Sequence, residues 1–314
     1  MSALVTLSGL LLIVVLLGVV RWGLHKGLAP TRLADGMQPS ELGLAAEAIT
    51  IGSTPPGKMF AWWIPVRTTL QRTPVAVLLH GWGGDAGTLL PAAQALHQAG
   101  YAVLAVDALN HGRSDEEDHS SMPRFARDLD RALAWVTART DIDPARVYAL
   151  GHSVGGAAVL LSASSRHDLC AVVSVSAFAH PEWMMRRWLQ GRHIPYVPLG
   201  WLVNRYVEQV IGWRFDDIAP IHTVSRITCP VLLVHGQQDA TVPVKDARAI
   251  HAHQGAARVT LIEAPGDHEH FEHMDAVMRE VLAFMASAAD SATSPTQFGA
   301  AGLTRALDAT KARV

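Results

Sequence analysis

The segment GHSVGG at positions 151–156 places one serine between glycines at a fixed spacing. It follows the apolar run 146–150 and precedes the apolar stretch AAVLLSAS. This arrangement is typical of a nucleophile at a sharp turn from a strand into a helix, because side chains in place of the glycines would collide with the strand or the helix. The pattern therefore indicates that Ser153 is a nucleophile.

A serine hydroxyl is a weak nucleophile until a base takes its proton, and that base is usually a histidine oriented by a buried carboxylate. For a serine on such a turn, the partners follow along the chain in the order Asp, then His. Asp239 comes after the apolar run 231–234, and His268 comes after the next one, 259–262. We therefore predict that Asp239 orients His268, which acts as the general base.

A cluster of three histidines leaves two alternatives open around this base. The segment HEHFEH at 268–273 also contains His270 and His273, and each is an alternative to His268. Three imidazoles and a carboxylate at such spacing are also zinc ligands in metallo-hydrolases. Such a site needs further ligands downstream, and the 41 residues after His273 contain no histidine. We therefore predict no metal and no cofactor.

The elements that must position these residues are visible as short apolar runs. The runs are continuous rather than alternating, as expected of strands covered on both faces. Segments with helical spacing lie between them, so we predict a mostly parallel sheet flanked by helices, with ligands bound at the carboxyl ends of the strands. Two earlier runs predict an antiparallel hairpin at the sheet edge. The runs are 48–52 and 59–66 for the hairpin, and 75–79, 101–106, 146–150, 171–175, 231–234 and 259–262 for the parallel strands.

Several longer motifs strengthen this interpretation. With these motifs, the sequence resembles the α/β-hydrolase superfamily of serine hydrolases over about residues 45–286. The resemblance rests on HGWGG (80–84), DALNHGRS (107–114), GHSVGG (151–156), PVLLVHGQQDATVP (230–243) and GDH (266–268).

The resemblance implies an α/β-hydrolase fold in which Ser153 is the nucleophile, Asp239 the acid and His268 the base. It further implies an oxyanion hole made of the backbone N–H groups of Trp82 and Val154, each of which contributes about 2.7–4 kcal/mol of transition-state stabilisation. By the same comparison, we interpret Asp107 and His111 as structural.

The segment between runs 171–175 and 231–234 is too long for a simple crossover helix. We predict an inserted helical cap at about 179–220, rich in tryptophan, that covers the nucleophile and binds an apolar acyl group. The alternative is that these aromatic side chains form the core of the cap itself or face the membrane. The predicted substrate-binding residues are Trp82, His152, Trp183 and Trp188.

Composition excludes several classes of protein. The chain has 314 residues, a formal net charge of −2 and 49% hydrophobic residues. The balanced charge argues against a nucleic-acid partner, and the apolar content argues against a disordered chain. Two cysteines, Cys170 and Cys229, are too few for a disulfide scaffold, and we interpret them as buried thiols.

The two ends of the chain differ from its centre. Residues 3–20 form an uncharged stretch of 18 residues, and a helix of that length spans about 27 Å, close to the thickness of a bilayer core. We therefore predict a single-pass anchor at 1–28 and a membrane location, with the catalytic domain in the cytoplasm because basic residues follow the stretch. Residues 287–314 predict a flexible tail.

Together these features predict a serine hydrolase that cleaves acyl esters through an acyl-enzyme. We expect a carboxylesterase or lipase-like enzyme acting on apolar small-molecule or lipid esters. A serine aminopeptidase or a thioesterase on the same fold is the first alternative, because fold alone does not decide the chemistry. A non-catalytic, membrane-anchored scaffold and a metal-dependent hydrolase are further alternatives.

Overall fold

The computed structural model describes most of the chain between residue 27 and residue 293. The described residues are 18, 22, 23, 27–33, 36–52, 57–66 and 71–293.

An eight-stranded sheet forms the centre of the fold, in the order β1-β2-β4-β3-β5-β6-β7-β8. The first two strands are antiparallel to each other, β2 is antiparallel to β4, and the remaining pairs are parallel. The mostly parallel sheet and the antiparallel edge hairpin predicted from the sequence are therefore confirmed. The strands are β1 (Glu47–Ile51), β2 (Met59–Ile64), β3 (Thr73–Leu79), β4 (Ala102–Val106), β5 (Ile142–His152), β6 (Ala171–Val175), β7 (Val231–Gly236) and β8 (Val259–Ala264).

Helices connect the parallel strands and cover both faces of the sheet. Short 3₁₀ turns lie at Pro39–Leu42, Ala86–Leu89 and Val224–Arg226. The α-helices are α1 (Leu90–Gln98), α2 (Met122–Thr137), α3 (Val154–Ala163), α4 (Pro181–Gln190), α5 (Trp201–Ile211), α6 (Phe215–Ile218), α7 (Pro220–Thr223), α8 (Lys245–Ala252) and α9 (Met274–Thr293).

Each face of the sheet has its own apolar core. Helices α2 and α3 pack on one face, and helices α1 and α9 pack on the other. In α2, the residues that the helical spacing placed on one side, Phe125, Leu129, Leu133 and Val136, are all buried. Every residue of β3 is buried as well, which is why that strand reads as a continuous apolar run.

Helices α4 to α7 and a kinked turn at Tyr196–Gly200 lie between β6 and β7. An ion pair ties the first of them to the main body. Arg187 in α4 contacts Asp246 in α8, with Nη2 of the arginine 2.9 Å from Oδ2 of the carboxylate. The same oxygen accepts the backbone N–H of Ala179 at 3.0 Å. Because the Asp246 side chain is fully buried, this pair fixes α4 against α8.

The predicted membrane anchor needs correction. Among the described residues, no helix is both long enough and apolar enough to cross a bilayer. The longest, α9, has 20 residues but carries Asp275, Arg279, Glu280 and Asp290, whereas a spanning helix needs about 20 mostly apolar residues. This finding overturns the single-pass anchor and the membrane location. Residues 3–20 themselves lie outside the described residues, apart from Gly18.

At the other end of the chain, α9 continues to Thr293. The first residues of the predicted tail, from 287, therefore belong to this helix. Residues 294–314 lie outside the described part of the chain.

Candidate active site

Ser153 occupies the turn between β5 and α3. Its backbone has φ 55° and ψ −118°, a conformation that is costly for a residue with a side chain and is characteristic of functional sites. A Cβ atom on Gly151 would collide with the backbone of Gly155, and one on Gly155 would collide with the carbonyl group of Leu79. The backbone N–H of Ser153 donates to the carbonyl oxygen of Val175 at 2.8 Å. Both glycines are therefore required to hold this turn against the sheet.

Asp239 follows β7, and its side chain is fully buried. Oδ1 accepts the backbone N–H groups of Thr241 at 2.9 Å and Val242 at 2.7 Å. Oδ2 accepts Nδ1–H of His268 at 2.7 Å and lies 3.3 Å from Nε2 of His235. Burial on its own would raise the pKa of Asp239, but the hydrogen bonds from His235, His268 and Val242 outweigh it and lower that pKa. The group is thus held as a carboxylate.

His268 follows β8 and contacts both of the other residues. Its Nε2 lies 3.0 Å from Oγ of Ser153, while its Nδ1 lies 2.7 Å from Asp239. Because a carboxylate can only accept, Nδ1 carries the proton and Nε2 presents a lone pair to the serine hydroxyl. This is the polarity that a general base requires.

The structure separates the alternative histidines from this site. The His270 side chain is 86% exposed and contacts Asp267 at 3.7 Å. His273 is also exposed, on the segment just before α9. The structure therefore brings His268, but neither alternative, to Ser153.

Two groups of side chains place potential metal ligands close together in the described part of the chain. One is His152, His268 and Glu269, and the other is His180, Asp216 and His222. In the first group, both ring nitrogens of His268 and Nε2 of His152 are already hydrogen-bonded. In the second, Nδ1 of His180 accepts the backbone N–H of Glu182 and Nε2 contacts Asp216. A metal would have to displace these bonds, so neither group is organised as a metal centre.

The predicted oxyanion loop lies directly beside the serine. A Cβ atom on Gly81 would be 3.1 Å from Cβ of Ser153. His80 fixes the start of this loop, since its Nδ1 donates to the carbonyl oxygen of Gly81 at 2.7 Å and its Nε2 accepts the N–H of Ala108 at 3.0 Å. The loop that carries Trp82 is therefore pre-organised next to the first turn of α3, whose N–H groups have no partner within the helix.

The ring of Trp82 lies beside an aromatic cluster. It is stacked parallel to Phe125 at 6.5 Å and meets His111 edge-on at 5.9 Å. The ring is still 40% exposed. The Trp82 side chain is therefore partly packed on this cluster and partly exposed.

Trp183 and Trp188 lie in α4, and their ring contacts are with cap residues. Trp183 stacks on His180 at 6.0 Å, and the guanidinium of Arg192 lies 3.8 Å from the ring centre of Trp188. The four cap tryptophans, Trp183, Trp188, Trp201 and Trp213, are 37–49% exposed. They are therefore not the packed interior of the cap.

Sequence reasoning missed two supporting residues, one near the end of β7 and one just after it. His235 donates from Nε2 to the carbonyl oxygen of Val242 at 2.7 Å and stands beside Asp239. The Gln238 side chain accepts the backbone N–H of Gly266 at 2.7 Å, which ties the loop of His268 to the loop of Asp239. The signal for both was their position within the HGQQD segment.

Asp107 serves a structural role in the loop after β4. Its carboxylate accepts the backbone N–H groups of Ala86 at 2.6 Å and Arg113 at 2.7 Å. Burial raises the pKa of Asp107 to about 6. His111 is buried and donates from Nδ1 to the carbonyl oxygen of Leu109 at 3.0 Å.

Two family models match the chain. The family described as serine aminopeptidase, S33, matches residues 71–211, and the family described as TAP-like protein matches residues 202–294. The uncharacterized protein YfhR of Escherichia coli strain K12 is 24% identical over 251 residues, which cover 78% of this chain and 82% of that protein.

Solved structures of similar fold include two esterases. The Pyrococcus furiosus esterase Pf2001 has a TM-score of 0.64 at 20% identity and covers 82% of this chain and 98% of its own. Est1E from Butyrivibrio proteoclasticus has a TM-score of 0.62 at 23% identity, with coverages of 77% and 98%. The sheet order, the serine turn and these similar structures all indicate the same fold. The chain has the α/β-hydrolase fold.

Proposed function

We propose that this protein is a serine hydrolase that cleaves carboxylic esters through an acyl-enzyme on Ser153. One observation carries the proposal: His268 lies 3.0 Å from Oγ of Ser153 through Nε2 and 2.7 Å from Asp239 through Nδ1. A base that is hydrogen-bonded to a nucleophile and oriented by a carboxylate is the arrangement that nucleophilic hydrolases use, and it supports this proposal.

In the first half-reaction, Oγ of Ser153 attacks the ester carbonyl carbon while Nε2 of His268 takes the hydroxyl proton. The negative charge that develops on the carbonyl oxygen is stabilised by the backbone N–H groups of Trp82 and Val154. Collapse of the intermediate breaks the ester bond, and His268 gives its proton to the departing alkoxide. Asp239 stays ionised and stabilises the imidazolium.

In the second half-reaction, His268 removes a proton from water, whose oxygen attacks the acyl carbon. The same two N–H groups stabilise the second oxyanion, and Oγ of Ser153 leaves with the proton from His268. The products are one alcohol and one carboxylic acid.

The comparisons favour an ester over other substrates. Pf2001 and Est1E are named esterases, and Est1E has been solved with ferulic acid bound. The exposed tryptophans of α4 and the ring of Trp82 support an apolar acyl group, because such groups bind in pockets lined by aromatic side chains. The proposed substrate contacts are Trp82, Trp183 and Trp188. His152, the fourth residue predicted from the sequence, is buried and its Nε2 is bonded to the carbonyl oxygen of His268, which favours a supporting role over substrate contact.

A serine aminopeptidase is the second candidate, because the family that matches residues 71–211 carries that description. Recognition of a substrate amino group requires an unpaired carboxylate near the nucleophile. In the cap, Glu182 is paired with Arg186 and Glu208 with Arg205. Those two cap carboxylates are therefore occupied, whereas a carboxylate that does lie near the nucleophile is that of Glu269, within 4.8 Å of ring nitrogens of His152 and His268.

We propose that the hydrolase domain covers about residues 45–286, with the cap inserted at about 179–220. The helices between β6 and β7 support this division, since α4 to α7 interrupt the alternation of strands and single helices.

The test is to treat the full chain with a fluorophosphonate probe, comparing the wild type with Ser153→Ala. The same samples are assayed on p-nitrophenyl esters of increasing acyl length and on aminoacyl p-nitroanilides. We expect labelling and ester turnover in the wild type alone, with kcat lowered on the order of a millionfold in the variant. Equal labelling of both proteins, or none in either, would refute the proposal, and turnover of the anilides alone would favour the peptidase.

A further inference from the structure

We propose that His152 is a positioning residue that holds the backbone of His268 against the strand that carries Ser153. The inference rests on the proposed function, since it explains how the same site keeps its geometry. It differs from the role of substrate contact, because the ring acts through His268.

The contact is direct and has a defined polarity. His152 is the last residue of β5, and its Nε2 lies 2.8 Å from the carbonyl oxygen of His268. A carbonyl oxygen only accepts, so Nε2 of His152 carries the proton. The two rings also pack together, with centres 5.0 Å apart and planes at 52°. His152 is buried, so this bond is formed away from bulk water.

The other hydrogen bonds of the loop that carries His268 join it to the end of β7 or stay within the loop. Gln238 and Gly266 exchange two hydrogen bonds, at 2.7 Å and 2.9 Å, and these tie the loop to the end of β7. Oδ1 of Asp267 accepts the N–H groups of the next residues in the same loop. The bond from His152 is different, because it ties the loop to β5. It therefore sets the spacing between His268 and the serine on that strand.

The ring also lies close to the predicted oxyanion loop. A Cβ atom on Gly81 would lie 3.2 Å from Nδ1 of His152. His152 thus lies between the loop that carries Trp82 and the loop that carries His268. A side chain that contacts both loops can keep the base and the oxyanion donors in register with the nucleophile.

The charge state of His152 suits this role. Burial lowers the pKa of His152. The hydrogen bond to the backbone carbonyl of His268 and the charges of Glu269 and Asp239 act in the opposite direction, the His268 ring lowers the pKa further, and the net shift is downward. His80, after β3, is a further titratable group that interacts with the ring. A neutral His152 keeps the N–H that the carbonyl needs without adding a second positive charge when His268 becomes an imidazolium.

The test compares two amides of different length at one position. In His152→Gln the amide nitrogen reaches approximately the place of Nε2 and retains the bond. In His152→Asn the nitrogen falls near the place of Nδ1 and the bond is lost. We expect Asn to lower kcat and the rate of fluorophosphonate labelling about tenfold to a hundredfold, as a misplaced group does. KM should change less than about threefold, and Gln should restore most of the loss.

If His152 had only a structural role, or acted only through its ring, kcat would fall equally in the two variants. Equal losses in Gln and Asn, or an Asn variant with wild-type kcat, would overturn the inference. If Asn does not fold at the assay temperature, His152→Met takes its place, because it fills the space without a donor. A wild type that fails to label at Ser153 would instead refute the proposed function, so the two failures are distinguishable.

Discussion

Nε2 of His268 lies 3.0 Å from Oγ of Ser153, although 115 residues separate the two along the chain. The contact exists because both residues sit at the carboxyl ends of parallel strands. Ser153 directly follows β5 and His268 follows β8, with β6 and β7 between them. The loops must therefore reach across two strands, which makes the supporting bonds of Asp239 and His152 part of the same arrangement.

The first prediction separates His268 from its neighbour His270. His268→Gln should lower kcat on the order of a millionfold, because the serine hydroxyl loses its base. His270→Gln is the matched control and should retain wild-type kcat, since that side chain is 86% exposed. Steady-state rates on a p-nitrophenyl ester measure both. Loss of activity in the His270 variant would show that the base is assigned to the wrong histidine.

The second prediction concerns the approach of Gly81 to the serine. In Gly81→Ala, the added Cβ lies 3.1 Å from Cβ of Ser153 and 3.2 Å from Nδ1 of His152, so the loop or these neighbours must move by a few tenths of an ångström. Because the loop carries the proposed donor Trp82, kcat should fall at least about tenfold, approaching the roughly 10²–10³-fold loss of one oxyanion donor.

Gly191→Ala is the control for this change. Its Cβ would make ordinary contacts at 3.6 Å and 3.7 Å, and its φ of −61° suits alanine. We expect kcat within twofold of the wild type, roughly the scatter of a neutral substitution. Similar kcat values for the two alanine variants would contradict the proposed role of the loop.

The third prediction is a pH dependence of stability at His80. Burial, followed by the proximity of His111, lowers the pKa of His80 from 6.5 to about 3. Between these values the unfolded chain binds a proton that the folded chain does not. The stabilisation that comes from a neutral His80 is therefore complete above about pH 6.5 and is lost as the pH falls towards about 3.

The stability contributions of Asp107 and Asp128 change with pH in the opposite direction, since burial raises the pKa of each carboxyl group to about 6. A comparison of the wild type with His80→Gln isolates the contribution of His80, because both proteins contain the two carboxyl groups. The free energy of unfolding of His80→Gln should lie below that of the wild type at pH 7, and the gap should narrow as the pH is lowered to 4. Urea unfolding at a series of pH values measures the gap. A constant gap would show that His80 is not the titrating group.

The fourth prediction tests the ion pair that fixes α4. Arg187→Leu leaves the buried carboxylate of Asp246 without its charged partner, and the free energy of unfolding should fall by about 3 kcal/mol. Arg186→Leu is the adjacent control. Arg186 is 47% exposed and pairs with Glu182, and exposed pairs are worth about 0.2–1 kcal/mol. Equal losses of unfolding free energy in the two variants, measured by urea unfolding, would show that burial of Asp246 does not determine the cost of removing its partner.

The sequence by itself determined the sheet, the serine turn and the order of the three site residues. Continuous apolar runs identify strands covered on both faces, and the glycines around Ser153 identify a crowded turn. These are local properties, because each depends on the chemistry of neighbouring residues and on the period of the backbone. The same reasoning was wrong about the membrane anchor, since an apolar stretch alone does not establish a spanning helix.

Only the tertiary structure decided which histidine meets the serine, and what supports it. His268 and His270 are two residues apart, yet one faces Ser153 and the other faces solvent. The bonds of His235 to the Asp239 loop, of His152 to His268 and of Arg187 to Asp246 likewise join distant segments. Such contacts depend on how loops from different strands pack at the sheet edge, and the sequence of each loop alone carries no measure of those distances.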